Sequence, residues 1–411
     1  MDCLIDIYNS AVDSCSAYSC VLNYVDYVRR VYFDGGFKRL YVTGFGKGAY
    51  GMALAASERL DDIITSGIVI TKYGHSETNI AGKIRILEAG HPIPDENGIS
   101  STAEIIELVK GASADTLILC LISGGGSALF VAPTDGITLA EKQSVTEALL
   151  KSGCDINELN AVRKCLSKVK GGGFAALPYP AKVLSLIISD VLGNRLDVIA
   201  SGPTIEGTKA SREAIDVLKK YGLIYKLPPK IINVIDKGIH HRPINAENII
   251  IADLGQALIA ARARAQALGF EAEIITDKLA GDVKDAVKWL SKHITPNKKL
   301  LISGGETTVT VTGTGRGGRN MELALRFALE IEGSSGITML SAGTDGTDGP
   351  TDTAGAIVDG STIARGRAVG LDAQDYLINN NSYTYFKHAG GLFKPGPTGT
   401  NVMDIQLMLF S

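Results

Sequence analysis

Cysteine is scarce in this sequence. The six in 411 residues, Cys3, Cys15, Cys20, Cys120, Cys154 and Cys165, form no C-x-x-C pair. That excludes a disulfide scaffold and gives no zinc-site spacing, so the thiols are read as reduced, with Cys120 in the core. An excess of basic charge is also missing. A formal net charge of -3 leaves nothing to neutralise a phosphate backbone, which argues against a nucleic-acid partner. Long apolar runs are absent too: the run from Thr116 to Ile122 falls far short of the roughly 20 residues needed to cross a bilayer. The opening MDCLIDIYNS lacks the basic, apolar and small-residue layout of a leader. The expectation is a cytoplasmic protein with no membrane partner.

Glycine, by contrast, is abundant, with 47 residues. The most informative stretch is KRLYVTGFGKGAYGMAL, Lys38 to Leu54. Its β-branched and aromatic start reads as a buried strand, and its small-residue end as a helix. Gly44, Gly46, Gly48 and Gly51 make the turn between them, with Lys47 at its centre. Glycines allow close backbone approach, and a helix N-terminus with a cation beside it suits a phosphate or carboxylate. Gly46 to Gly51 fits G-x-G-x-x-G, but the next strand, SGIVITK, ends in Lys72 where a dinucleotide site requires a ribose-binding acid. Lys47 is followed by Gly48, so the loop is not a Walker A motif either.

The length implies two or three domains, and two are expected: 1–242 and 243–411, with a linker near His240 to Asn245. After helices over residues 1 to 36, strands and helices alternate. The strand 66–72 follows the helix 49–60, and a strand near Ile84 runs into AGHPIPDENG. There Asn97 to Ser101 are expected to cap a helix over Thr102 to Val109. TLILCLIS reads as a strand buried on both faces that ends in Gly124, Gly125, Gly126 and Ser127. Helices 138–151 and 156–169 precede KVLSLIISD, which delivers Ser189 and Asp190 to its carboxyl end. This is an α/β fold with a doubly wound parallel sheet, whose ligands lie outside the carboxyl ends of the strands.

The second half repeats the alternation from strand 249–252 to strand 299–303. It then places Glu306 in a glycine turn, followed by a Thr/Val strand, the basic loop with Arg316 and Arg319, and a helix opening at Asn320. GITMLSAG ends in a segment with Asp345, Asp348 and Asp352, and PTGTNVMDIQL is a last glycine turn leading into a strand that is free to return to the first domain.

Lys47, Arg319 and Arg316 are cations on glycine turns, suited to gripping anions or else simply exposed. Asp190 and Asp345, at strand ends, suit Mg²⁺ held through oxygen, or turn formation. Asp348 and Asp352 read as turn-formers, His91 as structural or solvated, and Lys170 beside Gly171 as within reach of a phosphate. Together these favour phosphoryl transfer over hydride transfer, because that reaction needs electrostatic clamping more than covalent chemistry.

GFGKGAYGMA, EAGHPIPDENG, LISGGGSALF, INELNAVRKCLSKVKGGGFA, IISDVLGNRLDVIASGPT, ISGGETTVTVTGTGRGGRN, LSAGTDGTDGPTDTAGAIVD and PTGTNVMDIQL together resemble the glycerate kinases that carry a MOFRL domain. The resemblance implies a Rossmann-like α/β domain joined to a smaller mixed α/β domain, with a site in the cleft between. It also implies ATP and a divalent metal such as Mg²⁺ as cofactors, and D-glycerate as the partner that becomes 2-phosphoglycerate. Carried over by motif, the family's site residues fall on Lys47, Arg319, Glu306, Asp345 and Asn401. The expected catalytic set is Lys47, Arg319 and Asp190, with Asp190 and Asp345 on the metal. Binding is expected from Gly46, Ser123, Gly124, Gly125, Ser127, Glu306, Asn320 and Asn401. An NAD(P)-dependent hydroxypyruvate reductase and a noncatalytic nucleotide or sugar-acid binder are the competing readings, and assembly as a monomer or a homodimer is left open.

Overall fold

The computed structural model describes residues 2–206, 211–238 and 243–411. The chain forms two compact units. One comprises Ala17–Ser189 and Asn194–Ile251, the other Met1–Ser16, Asp190–Gly193 and Ala252–Ser411. The linker expected at 240–245 lies partly outside the described residues.

The first unit is built on seven strands: β1 (Arg39–Phe45), β2 (Ile64–Lys72), β3 (Ile80–Ala81), β4 (Ile84–Ala89), β5 (Thr116–Ile122), β6 (Lys182–Ile188) and β7 (Ala246–Ala252). Their order is β3-β4-β2-β1-β5-β6-β7. β4, β2, β1, β5 and β6 run parallel, and β3 pairs antiparallel with β4. Every residue of β5 is buried, as its unbroken apolar sequence requires of a strand covered on both faces. The chain leaves β1 for β2 on one side and returns to β5 on the other. The carboxyl ends of β1 and β5 therefore flank a topological switch point, where such sheets leave a crevice.

Two local boundaries differ from expectation. The helix after Pro94 begins at Glu96, because Asp95 itself is the cap, its Oδ1 accepting from the Gly98 N–H at 2.9 Å. The helix Ile156–Cys165 ends before 169. Its last carbonyls, Arg163 O and Leu166 O, accept from the buried Lys142 ammonium at 3.3 and 3.2 Å, and a cation is stabilising at that end of a helix.

The second unit has six strands: β8 (Ala272–Asp282), β9 (Lys299–Thr308), β10 (Ile337–Gly343), β11 (Gly355–Asp359), β12 (Leu392–Phe393) and β13 (Asp404–Phe410), in the order β12-β11-β10-β13-β9-β8. Only β8 and β9 pair in parallel; the other pairs are antiparallel. The last strand does not return to the first sheet, since β13 is central here between β10 and β9. Its alternate residues Ile405, Leu407 and the neighbouring Met408 are fully buried, which an edge position would not provide. The helix Arg319–Glu330 covers the sheet with Met321, Leu325 and Phe327, packed with Leu301, Met339 and Met408. The N-terminal helix Asp2–Ser14 also belongs to this unit, with Tyr8 buried edge-on against Phe393 at 4.9 Å and Asp6 paired to Arg264.

Candidate active site

In the first unit the turns after β1 and β5 interlock. The Lys47 N–H donates to Gly124 O at 2.8 Å, the Gly48 N–H to Ser123 Oγ at 2.9 Å, and the Ser123 N–H to Phe45 O at 3.2 Å. Gly46 has φ +133°, and a Cβ there would lie 2.2 Å from Ser123 Oγ, so glycine is required for the two turns to meet. A Cβ on Gly125 would come within 3.3 Å of Lys47 Cγ and 3.1 Å of His91 Nε2. The structure thus brings Gly46, Lys47, Ser123, Gly124, Gly125 and the loop histidine together, which the spacing of motifs alone left open. Lys47 O in turn accepts from Thr71 Oγ1 at 3.4 Å and lies 3.4 Å from His75 Nδ1. Ser127, two residues past Gly125, shares a hydroxyl–hydroxyl bond of 2.9 Å with Ser201.

Lys170 does not stand at a phosphate. It is fully buried, and its ammonium donates to Phe130 O and Ala200 O at 3.5 Å, inside the core formed around Phe45, Phe130 and Phe174.

The second unit gathers its motifs by strand register. Gly343 of β10, Asp404 of β13 and Gly305 of β9 lie in one row, because β13 runs opposite to both neighbours. The ends of LSAGTDG and ISGGET therefore meet the start of the last strand. Glu306 is not in a turn; β9 runs straight through Gly304 and Gly305 to Thr308, and residues 309–318 have no regular structure. Arg319 opens its helix and makes two ion pairs. Nε and Nη2 grip Asp404 at 2.6 and 3.0 Å, and Nη1 meets Glu306 at 2.6 Å. Burial pulls the guanidinium pKa down, but the charge and hydrogen bonds of Asp404, with Glu306 and Asp348 adding to them, outweigh it and raise it. Asp404 is buried, whereas the side chains of Arg319 and Glu306 are 34% and 44% exposed.

Asp345 Oδ1 accepts from the Thr347 N–H and hydroxyl at 2.9 and 3.0 Å. Asn401 Oδ1 accepts from the Met403 N–H at 3.3 Å, next to the bonds tying Thr344 to Val402 and Met403. Asn320 is buried, its Oδ1 accepting from Ser341 Oγ at 2.7 Å, while its amide nitrogen has no hydrogen-bond partner among the described residues. Asp190 follows β6, in the short segment that belongs to this unit.

Asp348 is no simple turn-former. Buried, it accepts from the Asn320 and Met321 N–H groups at 3.1 and 2.8 Å, satisfying the first turn of the Arg319 helix, and burial pushes its carboxyl up to about 7. Asp352 pairs with Lys394 on the surface, and Arg316 is held in its own loop by Pro350 O and the Tyr383 ring.

Sequence reasoning missed Asp404 and Tyr8. Tyr8 OH donates to Gly343 O at 2.7 Å, and burial, then Asp345 and Asp404, raise its pKa. The one signal for Asp404 was an acid directly before an apolar strand. Tyr8 had none, because its contact spans 335 residues of sequence.

Residues 3–236 match the family described as Domain of unknown function (DUF4147), and residues 299–404 match the MOFRL family. The chain is 47% identical to D-glycerate 2-kinase of Thermotoga maritima, covering 89% of each chain. It is 40% identical to glycerate 2-kinase of Pyrococcus horikoshii, over 90% of this chain and 87% of that one. The crystal structure of glycerate kinase from Thermotoga maritima superposes with a TM-score of 0.89 and 42% identity, over 100% of this chain and 99% of the other. By length, identity and fold together, the chain belongs to the glycerate 2-kinase family with DUF4147 and MOFRL domains.

Proposed function

We propose that this protein is a glycerate 2-kinase that transfers the γ-phosphoryl group of ATP to the 2-hydroxyl of D-glycerate. The observation that carries the reading is Lys47, fixed at the switch point by two interlocked glycine turns, in a chain so closely related to a D-glycerate 2-kinase. The 2-hydroxyl oxygen forms a bond to the γ-phosphorus, the bond from that phosphorus to the bridging oxygen of ADP breaks, and the hydroxyl proton leaves to solvent or a neighbouring base. The protein's task is to hold the reactants in line and balance the charge on the transferred group. Lys47 supplies a cation beside backbone N–H groups.

Arg319 is built for the same task in a different way. Buried Asp404 fixes the Nε and Nη2 edge, and the exposed Glu306 on Nη1 is the partner that a phosphate oxygen can replace. Among the described residues no three His, Cys, Asp or Glu side chains gather as a metal cage. Single carboxylates at strand ends, Asp190 and Asp345, instead fit Mg²⁺ carried in on the phosphates, where the ion would neutralise charge between them. Gly46, Ser123, Gly124, Gly125 and Ser127 are read as contacts to the reactants on the first unit, and Glu306, Asn320 and Asn401 on the second.

The test is to incubate the protein with ATP, Mg²⁺ and D-glycerate, follow ADP release and identify the phosphoglycerate by NMR. 2-Phosphoglycerate is expected. NADH oxidation with hydroxypyruvate and no ADP release would replace this reading with the reductase, which the Lys72 end of β2 disfavours for want of a ribose-binding acid.

A further inference from the structure

Arg163 reaches the turn after β5 from another helix. It sits in the last turn of the helix Ile156–Cys165 with its side chain mostly out of solvent, and its guanidinium makes a single long bond, Nη2 to Ser127 O at 3.5 Å. Among the described residues no carboxylate pairs with it. The acids of the same helix and of the loop near Lys164 are engaged elsewhere: Asp197 with Arg195 and Lys164, Glu158 with Lys220 and Tyr221, and Asp155 in capping the helix. Desolvation lowers its pKa, with no acid to offset that cost. A guanidinium in this condition, partly exposed and without a carboxylate partner, is open to an anion from outside the chain.

Its surroundings are shaped to receive one. Ser127 Oγ and Ser201 Oγ lie 2.9 Å apart, and the Ser201 hydroxyl also reaches Asn160 Oδ1 at 3.3 Å. Ser201 lies in a strained segment. Ala200 and Ser201 both have positive φ, +50° and +65°, without being glycine. The Gly171 N–H donating to Ser201 O at 3.0 Å and the Lys170 ammonium on Ala200 O hold the segment in place. A Cβ on Gly126 would lie 2.9 Å from Ala200 Cβ, so the strained segment lies directly on the β5 turn.

Position decides which anion. Lys47 approaches this turn at Gly125, and Arg163 approaches it at Ser127. Those two residues are at most about 7 Å apart along the backbone. A molecule with a carboxylate one carbon away from the hydroxyl that accepts the phosphoryl group fits that short separation, and a guanidinium can grip a carboxylate through two parallel bonds.

We infer that Arg163, assisted by Ser127 and Ser201, binds the carboxylate of the hydroxy-acid substrate and so selects acids over neutral polyols. The inference rests on the kinase reading for the identity of the acid. The experiment titrates the full chain and its Arg163→Gln and Arg163→Lys variants with D-glycerate, D-glyceramide and ATP by calorimetry, and measures KM and kcat for D-glycerate.

Wild type should bind D-glycerate and discriminate against the amide. Arg163→Gln should lose D-glycerate affinity by about 10- to 100-fold, the range for one charge-assisted contact, with D-glyceramide and ATP binding unchanged. KM for D-glycerate should rise more than kcat falls, and Arg163→Lys should recover part of the loss. Arg163→Gln binding D-glycerate like wild type would overturn the inference. So would a loss of ATP affinity instead, which would make this a phosphate site. If Arg163→Gln fails to fold, Arg163→Lys carries the same comparison between acid and amide. If wild type releases no ADP with D-glycerate, the kinase reading fails, but the preference for acid over amide still decides the role of Arg163.

Discussion

Replacing Gly46 with alanine tests whether the interlocked turns are as tight as their geometry states. At φ +133° an L-residue is strained by about 1–3 kcal/mol. The added methyl would also stand 2.2 Å from Ser123 Oγ, 2.5 Å from Ser123 O and 2.7 Å from its carbonyl carbon. Backbone atoms cannot rotate away, so β1 and β5 must separate at their carboxyl ends, an overpacking cost of about 1–3 kcal/mol. The sum is about 2–6 kcal/mol, or a fall in Tm of roughly 5–20 °C for a unit of this size. Gly74→Ala is the matched control: φ is +72°, and nothing lies within 4 Å of the added carbon. It carries strain alone, about 1–2 kcal/mol. Urea unfolding followed by circular dichroism, with calorimetry for Tm, separates the two, and turnover should fall only in Gly46→Ala because the Lys47 N–H to Gly124 O bond is pulled apart. Equal destabilisation by both substitutions would refute the argument, since it would mean that the contact with Ser123 has no energetic weight.

Three further outcomes follow from the second unit and from Lys47. Lys47→Ala and Arg319→Lys should each lower kcat by about 100-fold with the fold intact; unchanged turnover in either removes that residue from the chemistry. Arg319→Ala should also destabilise by about 3–5 kcal/mol, because buried Asp404 loses its cation; a melting profile matching that of Arg319→Lys would contradict this. Asp348, with its carboxyl pushed up to about 7 when folded, holds a proton that the unfolded chain releases near 4. Its contribution is therefore fully present below about pH 4 and lost as pH rises through 7. Relative to wild type, Asp348→Asn should gain up to about 4 kcal/mol in urea stability between pH 4.5 and pH 8, and a pH-independent difference would be inconsistent with a raised carboxyl. Tyr8→Phe should cost about 1 kcal/mol by removing one of the two hydrogen bonds to Gly343 O, the other coming from the Gly346 N–H at 3.2 Å, measured by the same urea titration.

The alternation of strands and helices was legible wherever periodicity was strong. β5 could be read directly, since seven consecutive buried residues can only lie inside a covered sheet. The place of Lys47 was legible, because a cation among glycines between a strand and a helix has to fall in the turn that joins them. Elsewhere local signals misled. SGGE looks like a turn, yet antiparallel pairing with β13 holds those glycines extended. Lys170 looks available beside three glycines, yet folding buries it under Phe130. Arg163 stands on a helix with several charges, yet its guanidinium turns to Ser127 O, 36 residues earlier in the chain.

By itself the sequence determined which segments become strands, where the glycine turns fall and which cations stand on them, because those depend on neighbours a few residues apart. Tertiary structure decided the rest. It set the row of Gly343, Asp404 and Gly305, the anchoring of Arg319 by a strand that begins 85 residues later, and the burial of Asp348 and Tyr8. Each of these depends on strand order and register, which local pattern does not encode, and on desolvation, which acts on a side chain only once distant parts of the chain have closed over it.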